Sequence, residues 1–597
     1  MSDLEHLNIP ANLNGLDYKV LTQVAEQIRT QILAVTKKNG GHLSSNLGVV
    51  ETTVALHSVF DFALDKLVFD VGHQCYAHKI LSGRANDFET LRQKDGLSGF
   101  PDIEESVYDS FTTGHAGTSI SASLGMCEAR DKIGDDYYVV TVVGDGSLVN
   151  GLNLEALTAN TVKPKKLIVI LNDNGMSISK NGNGFYKLIS KSTTNKGYVK
   201  GKSAVKKVFG NSFISKFFRK VRNLFKRLLN RNNYFENFGF KYVGVIDGND
   251  MKEMTKILKR VKYVAKDKAV LLHVKTTKGK GFDVAEESAD LYHGVGKGYK
   301  IASGSMGTAL GNKLCKVIDE NKQVVAITAG MKNGTGLSIV EERHPDNFFD
   351  VGIAEEFAVT YAAGMASCGL RPVVAVYSTF MQRAYDQILH DVCMQNLPVI
   401  FCLDRAGLVG EDGKTHQGVF DLSYLSHLPN LTVLTPVNDA DLELALDYAL
   451  QLNSPVAIRY AKDGCKYDFN AKAYDKELWQ TVKDGSDVTV LAVGGRALDV
   501  ATQFASQSDK CVKVVAVRTV KPLDENLLKS ISGRVITVEE NVLSGGFGQA
   551  VNSLLKDNKD VRVINLGVPD KFIKHGSVSS QLSECGLTVE NMLLLTK

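Results

Sequence analysis

No run of 18 consecutive apolar residues occurs in this 597-residue chain, so no transmembrane helix is expected. The opening Met1-Ser2-Asp3-Leu4-Glu5 lacks a basic stretch followed by an apolar one, and no secretion signal is expected. Nine cysteines are scattered without a CxxC pair. They predict reduced, mostly buried thiols in a cytoplasmic setting. Short-period repeats and low-complexity tracts are missing too. One segment lacks a whole sign of charge: between Lys187 and Arg231 stand 14 Lys or Arg and no Asp or Glu, while the rest carries 56 basic against 66 acidic residues. There Phe213, Ile214, Phe217, Phe218, Val221, Leu224, Phe225 and Leu228 recur at helical spacing with basic residues between them, an amphipathic basic helix. Such a helix suits a membrane surface or nucleic acid. It equally suits a packing helix or a cover over a site for anions, the reading adopted because its flanks look like an enzyme. Neither nucleic acid nor stable membrane association is expected.

What is present is ordinary in amount: 44% hydrophobic and 23% charged residues, as in soluble globular proteins. The length suggests roughly three or four domains. Apolar runs alternate with amphipathic helical segments throughout, which predicts an α/β class of three consecutive domains with mainly parallel sheets. The divisions expected are 1–296, with a basic insert at about 181–235, then 297–474 and 475–597. The glycine-rich His293-Gly294-Val295-Gly296-Lys297-Gly298 looks like the first boundary.

Two triplets carry most of the chemistry. Gly144-Asp145-Gly146 follows the apolar run 137–143, and Asn172-Asp173-Asn174 follows the run 167–171. Both runs read as buried parallel strands, and ligands gather at the carboxyl ends of such strands. An Asp and an Asn supply hard oxygens, too few to cage an ion, which suits Mg²⁺ sharing its shell with a phosphate. A bare GDG is usually only a tight turn; the strands and the interval favour the ligand. That interval resembles the thiamin diphosphate (ThDP) fingerprint, which implies Mg²⁺ held by Asp145, Asn174 and the Met176 carbonyl. Gly146 and Ser147 continue the same turn.

A second cluster, Val351-Gly352-Ile353-Ala354-Glu355-Glu356, ends a strand and starts a helix with two acids. Acids in a first turn favour the helix dipole. They also fit the need of ThDP for a protonated carboxyl on its aminopyrimidine ring. A diphosphate anchor in one domain and a Glu in the next fit a cofactor bound in the cleft between them.

The stretches Asp70-Val71-Gly72-His73-Gln74-Cys75-Tyr76-Ala77-His78-Lys79, Tyr377 to Gln387, and Asp404 to Gly418 closely resemble the 1-deoxy-D-xylulose-5-phosphate synthase family of transketolase-like ThDP enzymes. The resemblance covers nearly the whole chain apart from about 181–235. It implies decarboxylation of pyruvate on ThDP and joining of the remainder to D-glyceraldehyde 3-phosphate, the first step of the non-mevalonate isoprenoid route, which also feeds thiamin and pyridoxal synthesis. It implies a homodimer, and a third domain that supports dimerisation. Within that domain Glu539 to Gly548 looks superficially like a nucleotide loop but lacks GxGxxG, and reads as a structural turn. By position the resemblance makes Glu355 the catalytic acid and stacks Phe380 on the aminopyrimidine. It lines the reacting carbons with His42, His73, His293 and His416, and puts Asp412 on the acceptor side. Tyr377, Arg405 and Arg459 grip the aldehyde phosphate, with Arg383 a further active-site arginine, and guanidinium forks suit that geometry. Lys278, with Lys280 as the fallback, and the loop Gly114-His115-Ala116 flank the diphosphate.

The chain departs from the family pattern at Ala116-Gly117, which lacks two hydroxyls, and at Gly175, Phe357 and Lys462. Cys75 lies inside a motif, and packing is the role expected of it. Two other readings stand beside the synthase. A transketolase proper would transfer two carbons without CO₂. A non-catalytic scaffold of the same fold would have lost Asp145, Asn174 or Glu355, and all three are present.

Overall fold

The computed structural model describes residues 13–159, 163–175, 234–300 and 304–597. Met176 and the basic segment 187–231 lie outside them. The chain divides into two compact units, one of Met1–Glu89 and Gly99–Lys300, the other of Thr90–Ser98 and Ile301–Lys597.

The first unit is built on five parallel strands: β1 Lys66–Phe69, β2 Val139–Gly144, β3 Leu167–Asp173, β4 Lys241–Asp247 and β5 Val270–Lys275. Their spatial order is β1-β2-β3-β5-β4, and every pairing is parallel. β2 and β3 are almost wholly buried, as expected of central parallel strands rich in Val and Ile. Helices close the faces. In Met251–Ala265, Asp250 caps the start by accepting from the Glu253 N–H, and Leu258 and Val261 turn inward. Outside this sheet, Gly41–His42 and Gly294–Val295 form a short antiparallel ribbon. The glycine-rich stretch near 293–298 therefore carries a strand that pairs with residues near the start.

The second unit holds two sheets. One contains β6 Val324–Thr328, β7 Phe348–Asp350, β8 Arg371–Tyr377, β9 Ile400–Asp404, β10 Thr432–Leu434 and β11 Val456–Arg459. Strand Thr519–Lys521 adds to its edge, antiparallel to β10. The other contains β12 Trp479–Lys483, β13 Val488–Val493, β14 Val512–Val517, β15 Gly533–Val542 and β16 Val561–Val568, parallel except for β12. A single apolar cluster runs from Val374 and Phe401 of the first to Val515 and Val535 of the second. Trp479 is buried in it, its indole N–H donating to the Thr519 carbonyl at 2.7 Å. Each fully buried Val or Leu contributes about 1.5–3 kcal/mol. The fold is α/β with mainly parallel sheets, as the alternating pattern predicts. Among the described residues no helix is long and apolar enough to cross a membrane.

Candidate active site

In the first unit β2 and β3 end side by side, with Gly144 paired to Asn172. The chain turns directly from Gly144 into the short helix Asp145–Leu148. Asp145 Oδ1 accepts from the Gly146 N–H at 2.9 Å, while the buried Oδ2 has no partner. Burial, and then the nearby Asp173, push this carboxyl up to about 7, against the pull of the Gly146 and Asn174 N–H groups and of Lys278. Burial in turn lowers the Lys278 pKa, with Asp145 and Asp290 opposing. A buried acid with one oxygen left over fits a divalent ion, which would return it to carboxylate. Among the described residues no three His, Cys, Asp or Glu side chains form a metal set. Asp173, between the two asparagines, is consumed internally. Its Oδ2 lies 3.0 Å from His273 Nε2, and His273 Nδ1 lies 2.8 Å from the Tyr242 hydroxyl.

The loop 114–119 is held from below by Asp70, at the end of β1. Asp70 accepts from the Gly117 N–H at 2.9 Å, the Ser119 N–H at 3.1 Å and the Ser119 hydroxyl at 2.7 Å. Asn153 links the two turns, donating to Asp70 Oδ2 at 3.2 Å and to the Ser147 carbonyl at 2.9 Å.

Three of the predicted histidines meet. The ribbon sets His42 opposite Gly294. Ring centroids lie 5.7 Å apart for His42 and His293, 5.4 Å for His42 and His73, and 4.9 Å for His73 and His293. Imidazoles so grouped can pass protons near neutral pH. Cys75 is wholly buried, and burial pushes its thiol up to about 12.

In the second unit Glu355 is the first residue of helix Glu355–Ser367, 3% exposed, with Oε2 unpartnered. Burial pushes its carboxyl up to about 7 against the pull of Arg383. Glu356 beside it is less buried, and Phe357 lies out on Tyr361 at 5.3 Å between centroids. Phe380 lies edge-on to His416 at 5.4 Å and nearly parallel to Tyr377 at 5.9 Å. β8 ends at Tyr377 beside Asp404 of β9. The next residue, Arg405, has φ of 56° and sets its guanidinium 4.2 Å from the centre of the Tyr377 ring. One Nη1 serves the Gly334 carbonyl at 2.7 Å and Asp404 at 2.8 Å.

Asp412 pairs with Arg92 at 3.0 Å. Burial works to raise the Asp412 carboxyl, but Arg92, His416, Lys462 and Arg405 together hold it below its usual range. Burial, aided by Arg92, lowers the His416 pKa against the pull of Asp412, and so favours the neutral ring. Arg459 is differently placed from the other arginines. Its Nε lies 3.1 Å from both oxygens of the buried Asp421, and its Nη2 donates to the Glu540 carbonyl at 2.7 Å. Its charge is committed to an internal pair.

Sequence reading missed Arg92 and the anchoring role of Asp70. Asp70 opens a motif it had singled out; Arg92 carries no local signal.

The comparisons agree across the length of the chain. Residues 4–276 match the family described as 1-deoxy-D-xylulose-5-phosphate synthase, 303–466 the transketolase pyrimidine binding domain, and 478–592 the transketolase C-terminal domain. A 1-deoxy-D-xylulose-5-phosphate synthase of Clostridium tetani is 44% identical over 98% of this chain and 97% of its own. One of Carboxydothermus hydrogenoformans is 46% identical over 99% and 98%.

Proposed function

The chain belongs to the 1-deoxy-D-xylulose-5-phosphate synthase family, and from that premise we propose how its residues divide the labour. The enzyme condenses pyruvate with D-glyceraldehyde 3-phosphate, releasing CO₂ and forming 1-deoxy-D-xylulose 5-phosphate. One carbon–carbon bond breaks, one forms, and one proton is taken up. ThDP, when bound, supplies the electron sink for the breaking bond.

Glu355 carries the reading. Its unpartnered oxygen and a carboxyl at about 7 make it an acid that is still largely protonated just below neutral pH. A carboxyl in that state can donate to the ring nitrogen of an aminopyrimidine, and Phe380 offers that ring a face. Asp145, with Asn174 and the Met176 carbonyl, would hold Mg²⁺ against the diphosphate. Lys278, Gly146, Ser147 and the 114–116 loop would complete that end. His42, His73 and His293 hold and move protons around the reacting carbons. His416, neutral and beside Phe380, serves with Asp412 on the acceptor side. Arg405 on Tyr377 grips the aldehyde phosphate. Arg459 supports that end through Asp421, and Arg383 tempers Glu355. The same reading divides the chain at 296 and 474 and makes the working form a homodimer. Limited proteolysis and sedimentation check these two points.

The deciding experiment supplies the purified protein with ThDP, Mg²⁺, pyruvate and D-glyceraldehyde 3-phosphate. Equimolar CO₂ and 1-deoxy-D-xylulose 5-phosphate are expected. No CO₂, or two-carbon transfer between sugar phosphates instead, overturns the reading. Glu355→Ala should keep ThDP affinity, read by calorimetry, yet lower kcat by about 10²–10³-fold, since an electrostatic contact made at the reacting centre is lost. Normal turnover would remove Glu355 from the role.

A further inference from the structure

The short helix Ser44–Gly48 follows the ribbon strand that bears His42, and it reaches all three clustered histidines of the first unit. Ser45 Oγ lies 3.2 Å from His293 Nδ1, and the Leu43 and Ser44 N–H groups donate to the His293 and Tyr292 carbonyls at 3.2 and 3.1 Å. The residue between these contacts and the next turn does more. Asn46 Nδ2 donates to the His42 carbonyl at 2.6 Å and to the His73 carbonyl at 2.7 Å. Its Oδ1 accepts from the Tyr76 N–H at 2.9 Å. Tyr76 closes the circuit, its hydroxyl accepting from the His42 N–H at 3.1 Å.

The loops so joined turn on glycines. His42 follows Gly40 and Gly41, with φ of 79° and 143°, and His73 follows Gly72 at φ 90°, backbone angles that glycine adopts without a Cβ penalty. The ribbon ties the His42 strand to Gly294 and Val295, and the Asn46 side chain ties it to the His73 loop, because one carboxamide spans both carbonyls while 1% exposed. A carboxamide of this length is the natural group for the task. It offers two donors and an acceptor in one plane, where a carboxylate has no donor.

We propose that Asn46 is a positioning residue for the condensation: its amide sets the separation of the His42 and His73 loops and so registers the histidine cluster on the substrate. The inference rests on the synthase reading of the site. A displacement of about 1 Å in such a group costs about 10²-fold in rate.

Asn46→Ala is expected to lower kcat by about 30-fold or more while Mg²⁺–ThDP affinity, read by calorimetry, changes less than about threefold. In a His42→Ala/His73→Ala background the same substitution is expected to cost less than about threefold, because residues acting through one another are not additive. An equal fold-loss in both backgrounds marks a merely structural amide and overturns the proposal. Asn46→Asp keeps the acceptor for Tyr76 and loses the paired donation, so it should behave as Ala does; wild-type kcat in it overturns the proposal, and it stands in should the alanine variant fail to fold. A second readout needs no turnover. In spectra of protein carrying ¹³Cε1-histidine, Asn46→Ala should move or broaden the His42, His73 and His293 signals and leave His427 and His575 in place. Unmoved signals overturn the proposal. Should the wild-type enzyme form no 1-deoxy-D-xylulose 5-phosphate, the synthase reading falls, and the histidine spectra still decide whether Asn46 sets the cluster.

Discussion

Two glycine-bearing turns, one after β2 and one after β15, begin alike and end differently. Each leads from a buried parallel strand into a helix, and each lies beside a buried acid whose carboxyl is pushed up to about 7 by burial, Asp145 at the helix start in one and Glu539 of the strand in the other. Glu539 spends both oxygens on its own turn, accepting from the Phe547 and Gly548 N–H groups at 2.8 Å each. It occupies the helix start where an anion would otherwise bind. Asp145 spends one oxygen on Gly146 and keeps the other unpartnered. A raised carboxyl alone therefore does not separate a spent acid from an available one; Asp145 differs from Glu539 in the oxygen left over, and Glu355 shares that difference.

The contrast breaks first at the cofactor. Asp145→Ala should weaken Mg²⁺-dependent ThDP binding by about 100-fold or more, since losing even an outer-shell partner of a metal costs about 10–100-fold. Calorimetry with and without Mg²⁺ measures this. Glu539→Ala should leave that affinity alone and cost about 2 kcal/mol of stability in urea unfolding, by stranding two buried N–H groups. The reverse assignment of these two losses would abolish the distinction.

Proton linkage sharpens it. The folded Glu539 carboxyl lies at about 7, above its ordinary 4.5. Its protonated form is therefore favoured by folding: the contribution is fully present below pH 4.5 and is lost as pH rises towards 7, at up to about 1.4 kcal/mol per unit. Glu539→Gln should remove that share of the slope whether or not cofactor is bound. The share from Asp145 runs in the same direction without metal and should vanish once Mg²⁺–ThDP is bound, because the ion favours the carboxylate. Stability curves at several pH values, with and without cofactor, separate the two.

The smallest expected effect concerns the glycines. A Cβ on Gly546 would sit 2.7 Å from Glu539 Oε2 and from the Val542 carbonyl, whereas one on Gly144 meets nothing nearer than Ser147 Oγ at 3.8 Å. Gly546→Ala should cost about 1 kcal/mol or more through overpacking, and Gly144→Ala well under that. Equal losses in thermal unfolding would mean that the filled turn is no tighter than the open one.

The features that were legible in the sequence are local. Runs such as Leu167–Leu171 and Val488–Val493 are strands because fully buried parallel strands need continuous apolar sequence. Asp145 and Glu355 stand out because turn, acid and helix start are neighbours in the chain. What stayed hidden depends on partners far off in sequence. Nothing near Arg459 announces that Asp421 takes its guanidinium. Nothing near Arg92 announces Asp412, since the segment Thr90–Ser98 leaves one unit to join the other. The glycine-rich stretch near 293–298 looks like a boundary, and its composition does not report the strand Gly41–His42 that it pairs with.

The strand Thr519–Lys521 has a bearing on synthesis. It pairs with β10 of the preceding sheet, so the β10 side of that sheet stays open until Lys521 has left the ribosome. A gene cut after residue 474 would yield a fragment with the backbone groups of β10 bare, a template for pairing with other chains. Trp479 would be missing as well, and with it the indole that seats the strand. The sheet of β6 to β11 is thus completed by a segment translated after it.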